Sequence, residues 1–213
     1  MSRHIVLTGF EPFADFQVNP SWETARALDG LTLGRFRVKS FQIQLRYKEI
    51  RKTIEEIMDS QRPAAAISLG QSSRPVISLE KVAVNLADLT EANTLYNCGS
   101  RPKDELLDPQ APAGYLATLP TRQILDELRK NMIPAEISYE AGTFGCNQLF
   151  FHLMHKIHSD ELNTVGGFIH LPCLPSQAAQ LQETRRATIP SMELTRMINA
   201  VEIALKTTAD NLV

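Results

Sequence analysis

Short apolar runs alternate with stretches of helical period along this chain, and no other feature of the sequence limits its fold as tightly. Ile5-Val6-Leu7, Val38 to Leu45, Ala64 to Leu69, Val82 to Leu86, Ala135 to Ser138 and Phe168 to Leu171 read as strands. Between them Tyr47, Ile50, Ile54 and Ile57 repeat at helical spacing. So do Ile124, Leu125 and Leu128, and later Leu194, Met197, Ile198, Val201 and Leu205, a helix that Pro190 and Ser191 open. Apolar strands separated by helices suit a mostly parallel sheet, whose crossover helices cover both faces. The expected fold is α/β with a mostly parallel, twisted central sheet. The 213 residues are of the size that one domain fills, so residues 1–213 are expected to form a single domain. From Leu89 to Ala113 no period is visible, and Asn97, Gly99, Pro102, Pro109 and Pro112 mark a long loop or arm.

Charge narrows the partners. Twenty-two basic and 24 acidic side chains are interleaved, giving a net charge of −2 and no basic stripe. Neither nucleic acid nor a membrane surface is expected as a partner. Ile5-Val6-Leu7 is too short, and too soon interrupted by Gly9, Glu11 and Pro12, for a signal peptide or a spanning helix, so a cytoplasmic location is expected. Cys98, Cys146 and Cys173 are an odd, widely spaced set, which argues for free thiols over disulfides or structural zinc.

Cys146 lies in Ala141-Gly142-Thr143-Phe144-Gly145-Cys146-Asn147-Gln148, between a strand and a helix, where α/β enzymes place nucleophiles. On a wheel started at Leu149, the apolar positions Leu149, Phe150, Leu153, Met154 and Ile157 span about 140°, with Cys146 near the centre. A thiol at a helix start feels the positive end of the dipole and unpaired N–H groups, which favour thiolate. It could equally be a small buried apolar residue. His170 ends an apolar run before Leu171-Pro172, at the carboxyl end of a strand, which suits a general base. Glu80 interrupts the strand-forming run from Ile77 to Asn85. Alone it reads as an exposed edge residue; beside an imidazole it would fix the tautomer. His152, His155 and His158 fall opposite the apolar arc, a solvated or subunit-facing stripe that lacks the partners of a metal site.

Several blocks in fixed order resemble one known family. They are Thr8-Gly9-Phe10-Glu11-Pro12-Phe13, Leu69-Gly70-Gln71 with Arg74, Glu80 to Asn85, Tyr115 to Pro120, Ala141 to Asn147 and Gly167 to Pro172. The family is that of the type I pyroglutamyl peptidases. The resemblance implies a three-layer α/β/α domain, a Cys-His-Glu arrangement on Cys146, His170 and Glu80, no metal or organic cofactor, and commonly a homotetramer. It implies a thiol protease that removes N-terminal pyroglutamate from peptides through an acyl-enzyme. Phe10 and Phe13 match the aromatic pair flanking the pyroglutamyl ring, and Phe144 and Gln71 match other parts of that pocket.

The chain departs from the family pattern at several points. Thr90 stands where an arginine is usual, Ala14-Asp15 where a glycine pair is, Tyr139 where asparagine is common, and Gly145 where a larger apolar residue often precedes the cysteine. The alternative to the peptidase is a catalytically weak or inactive homologue that binds pyroglutamyl peptides.

Overall fold

The computed structural model describes residues 4–90, 95–185 and 188–212. The elements run β1 (His4–Phe10), α1 (Pro20–Ala27), β2 (Thr32–Leu33), β3 (Phe36–Ile43), α2 (Ile50–Gln61), β4 (Ala65–Gln71), β5 (Ile77–Glu80), β6 (Val82–Val84), β7 (Gly114–Leu116), α3 (Thr121–Lys130), β8 (Ala135–Ser138), α4 (Gly145–Ser159), β9 (Val165–Leu171), α5 (Pro175–Arg185) and α6 (Leu194–Asp210). Among the described residues the main sheet has the order β2-β3-β1-β4-β9-β5-β8. Strands β3, β1, β4 and β9 are parallel, whereas β2 and β5 run antiparallel to β3 and β9. The architecture is α/β with a mixed, mostly parallel sheet.

Period-two alternation distributes the sheet's side chains to two cores. Ile5, Leu7 and Ile67 pack with α1, α3 and α6 on one face, while Val6 and Ala66 pack with α2 and α4 on the other. Helix α4 is apolar over most of its length, as its position against the sheet requires, and Leu149, Phe150, Phe151, Leu153 and Met154 are fully buried.

Several features of the chain differ from the sequence reading: α5 was not foreseen, and α6 begins at Leu194 with Glu193 as its N-cap, not at Pro190-Ser191. The run from Ile77 to Asn85 does not stay in one sheet: it breaks at Lys81, with β5 joining the main sheet and β6 pairing with β7 as a separate hairpin. Helix α1 was not anticipated, although its signals are present, with Pro20 at the first turn and the Asn19 side chain accepting from Ser21 N at 3.0 Å.

Of the stretch from Leu89 to Ala113, residues 91–94 lie outside the described residues. The described remainder contains no helix or named strand, and Ala87 and Glu105 form an isolated bridge. Side chains of the body hold the arm at Asp108 and fix the chain just before it. Asn147 on α4 accepts from Val84 N and donates to Val84 O and Leu86 O, while Asn85 exchanges hydrogen bonds with Asp108, which Arg51 contacts at 2.9 Å.

Candidate active site

Three neighbouring strands place three groups on one sheet face. The registers Gly70↔His170, Ser78↔His170 and Glu80↔Phe168 put Gly70 beside His170, and Glu80 diagonal to it across the antiparallel β5–β9 pair. His170 Nδ1 lies 2.7 Å from Glu80 Oε1, with Glu80 fully buried at 0% exposure. Glu80 is therefore no edge residue. The β5 reversal delivers it from the opposite direction to His170, so the carboxylate sits deeper in the sheet than the ring it holds.

Helix α4 lies across this face and begins at Gly145, so that Cys146 occupies its first turn. A Cβ built on Gly70 would come 2.7 Å from Cys146 Sγ and 2.7 Å from Phe168 Cζ. The missing side chain at Gly70 is thus what lets the thiol reach the sheet. No side chain caps α4, and its N-cap residue Phe144 is extended. The first-turn N–H groups beside Cys146 are left without an intrahelical acceptor.

The electrostatics follow from these contacts. Burial alone would lower the His170 pKa, but the Cys146 sulfur, through charge and a side-chain hydrogen bond, and the Glu80 carboxylate together push it up to about 9. For Glu80, burial raises the pKa, and the hydrogen bond and charge of His170, with Ser138 and Arg74, more than offset this and hold it below its ordinary value. Arg74 donates to Glu80 Oε1 at 2.6 Å, to Ser138 Oγ at 2.9 Å and to Glu140 O at 2.5 Å, so one guanidinium ties the carboxylate to β8 and the turn after it. In the sequence Arg74 entered only as part of a motif, and Gly70 and Asn147 carried no individual signal.

Phe10, Phe13 and Phe144 share with Cys146 one apolar cluster that also contains Leu45, Tyr47, Leu89, Tyr96 and Ala141. Gln71 is placed differently. Its amide is engaged at both ends, by Cys173 Sγ at 3.2 Å and by Gln177 at 3.2 Å, and alternation along β4 turns its side chain away from the face that Gly70 shares with Cys146. His152 is only 2% exposed and no part of a solvated stripe, with the charges of Arg51 on α2 and Asp108 on the arm acting on it; His155 is partly covered by Tyr115, and His158 alone of the three is exposed.

The family departures have clear local settings. Ala14 has a φ of 53°, the left-handed region glycine prefers. Thr90 is exposed, and the Arg101 guanidinium lies against the backbone oxygens of Leu89 and Thr90. A Cβ on Gly145 would meet Leu45 Cδ1 at 2.3 Å. Tyr139 is 64% exposed.

Residues 3–211 match the family model described as pyroglutamyl peptidase. The pyrrolidone-carboxylate peptidase of Cupriavidus taiwanensis is 41% identical over 212 residues, covering 97% of this chain and 94% of that protein. Among solved structures, pyroglutamyl peptidase I from Bacillus amyloliquefaciens superposes with a TM-score of 0.90 at 36% identity, covering 98% of this chain and 96% of that one. A mutant pyrrolidone carboxyl peptidase from Pyrococcus furiosus superposes with a TM-score of 0.93 at 30% identity, covering 99% of this chain and all of the other.

Proposed function

The chain belongs to the pyroglutamyl peptidase family and is a cysteine peptidase acting on peptides with an N-terminal pyroglutamyl residue, and we propose that Cys146 is its nucleophile, His170 its acid and base, and Glu80 the group that orients His170. The observation that carries this assignment is a single imidazole shared between two partners. Its Nδ1 is 2.7 Å from a buried carboxylate, which can only accept, and the Cys146 sulfur acts on the same ring, raising its pKa.

In this mechanism Nδ1–H donates to Glu80, which fixes the tautomer and turns Nε2 toward the thiol. His170 Nε2 takes the Cys146 proton, and the thiolate sulfur attacks the carbonyl carbon joining pyroglutamate to the next residue. The first-turn N–H groups of α4 receive the developing oxyanion. Imidazolium His170 then gives its proton to the leaving amine, and the C–N bond breaks to leave a thioester. Water, deprotonated by His170, attacks that thioester and releases pyroglutamate with the thiol restored. Phe10, Phe13 and Phe144 supply apolar walls for a neutral five-membered lactam, and Gln71 contributes through its backbone.

We infer further that residues 1–213 act as one catalytic domain, that the protein works in the cytoplasm and that it is a homo-oligomer, a tetramer by analogy with the family. Supporting the location are three free cysteines, one of them exposed; among the described residues no helix is long and apolar enough to cross a membrane. Supporting self-association are exposed Leu95, Leu106 and Leu116, all on or beside the arm. No observation favours the inactive homologue.

The test is release of aminomethylcoumarin from its pyroglutamyl amide, run beside the prolyl amide. Turnover of the pyroglutamyl compound alone, abolished by iodoacetamide and by Cys146→Ala, is the expected result. Turnover that survives Cys146→Ala would remove the assignment.

A further inference from the structure

Tyr96, on the arm, is a large side chain of the cluster around the candidate nucleophile that the mechanism leaves unused. It is 1% exposed, and its hydroxyl is buried without a hydrogen-bond partner among the described residues. Its ring is fixed on two sides, 4.7 Å from the Phe144 ring centroid and 5.2 Å from that of Tyr47. It also lies against the start of α4, since a Cβ on Gly145 would be 3.7 Å from Tyr96 Cε1. It belongs to the apolar cluster formed with Phe10, Phe13, Phe144 and Cys146.

A buried phenol with no acceptor is unfavourable, because desolvation is not offset by a new hydrogen bond. Such a group persists where a ligand supplies the acceptor. The lactam ring of pyroglutamate carries both an N–H and a carbonyl into an apolar slot; the Gln71 backbone can serve one of them, and aromatic walls offer the other no partner. The scissile carbonyl has donors of its own at the α4 start. Building on the peptidase reading, we propose that Tyr96 is a specificity-determining residue whose hydroxyl donates a hydrogen bond to the lactam carbonyl of the substrate. Burial first, then the charges of Tyr47 and Cys146, raise its pKa far above the ordinary phenol value, so it stays a donor throughout the working pH range. Proline, which lacks that carbonyl and carries a charged ring amine, would leave the hydroxyl unpaired.

The experiment compares the full-length protein with Tyr96→Phe, which keeps the ring and its packing. Alkylation of Cys146 by iodoacetamide is followed by peptide mass, with 2-pyrrolidinone added as the lactam probe. The concentration giving half-protection should rise about 10-fold or more in Tyr96→Phe, while the alkylation rate without the probe stays the same. With the pyroglutamyl coumarin amide, kcat/KM should fall about 10- to 100-fold. Melting temperature should hold or rise, because an unpaired hydroxyl is removed.

Equal protection in the two proteins, or no protection in either, would overturn the proposal. So would a Tyr96→Phe protein whose Cys146 alkylates more slowly in step with lost turnover, since the hydroxyl would then act on the sulfur. A marked fall in melting temperature would assign the hydroxyl a structural partner instead. Protection by 2-pyrrolidinone does not require turnover, so a wild-type protein that is protected but hydrolyses nothing would retain this contact while removing the peptidase reading.

Discussion

Glu80 Oε1 receives His170 Nδ1 at 2.7 Å and Arg74 Nη1 at 2.6 Å, so one carboxylate oxygen links the His170 imidazole to a guanidinium that also reaches Ser138 of β8. Replacing Glu80 by Gln should lower kcat roughly a thousandfold or more, because an amide nitrogen turned toward the ring selects the wrong tautomer. Arg74→Met should cost less, about tenfold, through loss of a charge-assisted hydrogen bond and a looser carboxylate. A double variant measures the coupling: if Arg74 acts through Glu80, adding Arg74→Met to Glu80→Gln should leave kcat nearly unchanged, whereas full additivity would assign Arg74 a separate role.

The His170 imidazole should titrate near pH 9 by histidine NMR, above the ordinary 6.5. Burial opposes this, and the largest favourable influence is the Cys146 sulfur, so Cys146→Ser should move the titration downward. The sign for stability follows from the same shift. A folded pKa above the unfolded one gives a contribution fully present below about 6.5 and lost as pH rises through about 9. On the alkaline side kcat/KM should therefore fall as the imidazolium that protonates the leaving amine disappears. An alkaline limb unmoved by Cys146→Ser, judged from the NMR titration, would contradict this account.

At the acid end a different histidine dominates. His152 is buried with Nδ1 unpartnered among the described residues, and burial first, then the charges of Arg51 and His155, lower its pKa to about 3 against the opposing pull of Asp108. The unfolded chain binds this proton near pH 6.5 and the folded one does not, so stability should fall as pH drops below 6.5, by up to about 1.4 kcal/mol per pH unit from this group. Urea unfolding at a series of pH values should show that slope, and His152→Leu should flatten it while leaving stability at pH 8 unchanged or improved.

His152 also shows where sequence reading stopped. Its wheel position opposite the apolar arc of α4 is real, yet a wheel records only the pattern on one helix. Asp108, which the arm brings near that side, comes from residues with no period of their own and is held by Asn85 and Arg51. The places of Cys146 and His170 were legible because a helix start and a strand end are local signals. Glu80 had no such signal and was named only through the family resemblance, since apolar runs carry no strand direction, and the reversal of β5 is what brings it under the ring. Tyr96, within the same unpatterned stretch, had no signal at all.

The thiol's own position depends on an absent side chain. Gly70 pairs with His170 across β4 and β9, and a methyl there would sit 2.7 Å from Cys146 Sγ and 2.7 Å from the Phe168 ring. The ring is held in the core against Phe150 at 5.9 Å and cannot retreat freely, so the sulfur is the group that must move. Gly70→Ala should displace it from the imidazole and cut kcat by at least 100-fold, the cost of misplacing a reacting atom by about 1 Å. Overpacking should also destabilise the fold by roughly 1–3 kcal/mol. The two effects separate in Gly70→Ala combined with Cys146→Ala, where removing the sulfur relieves the contact: stability should recover in part, measured by urea unfolding against Cys146→Ala alone. If the double variant recovers nothing, the clash lies with Phe168, and the glycine is there for core packing and not for the nucleophile.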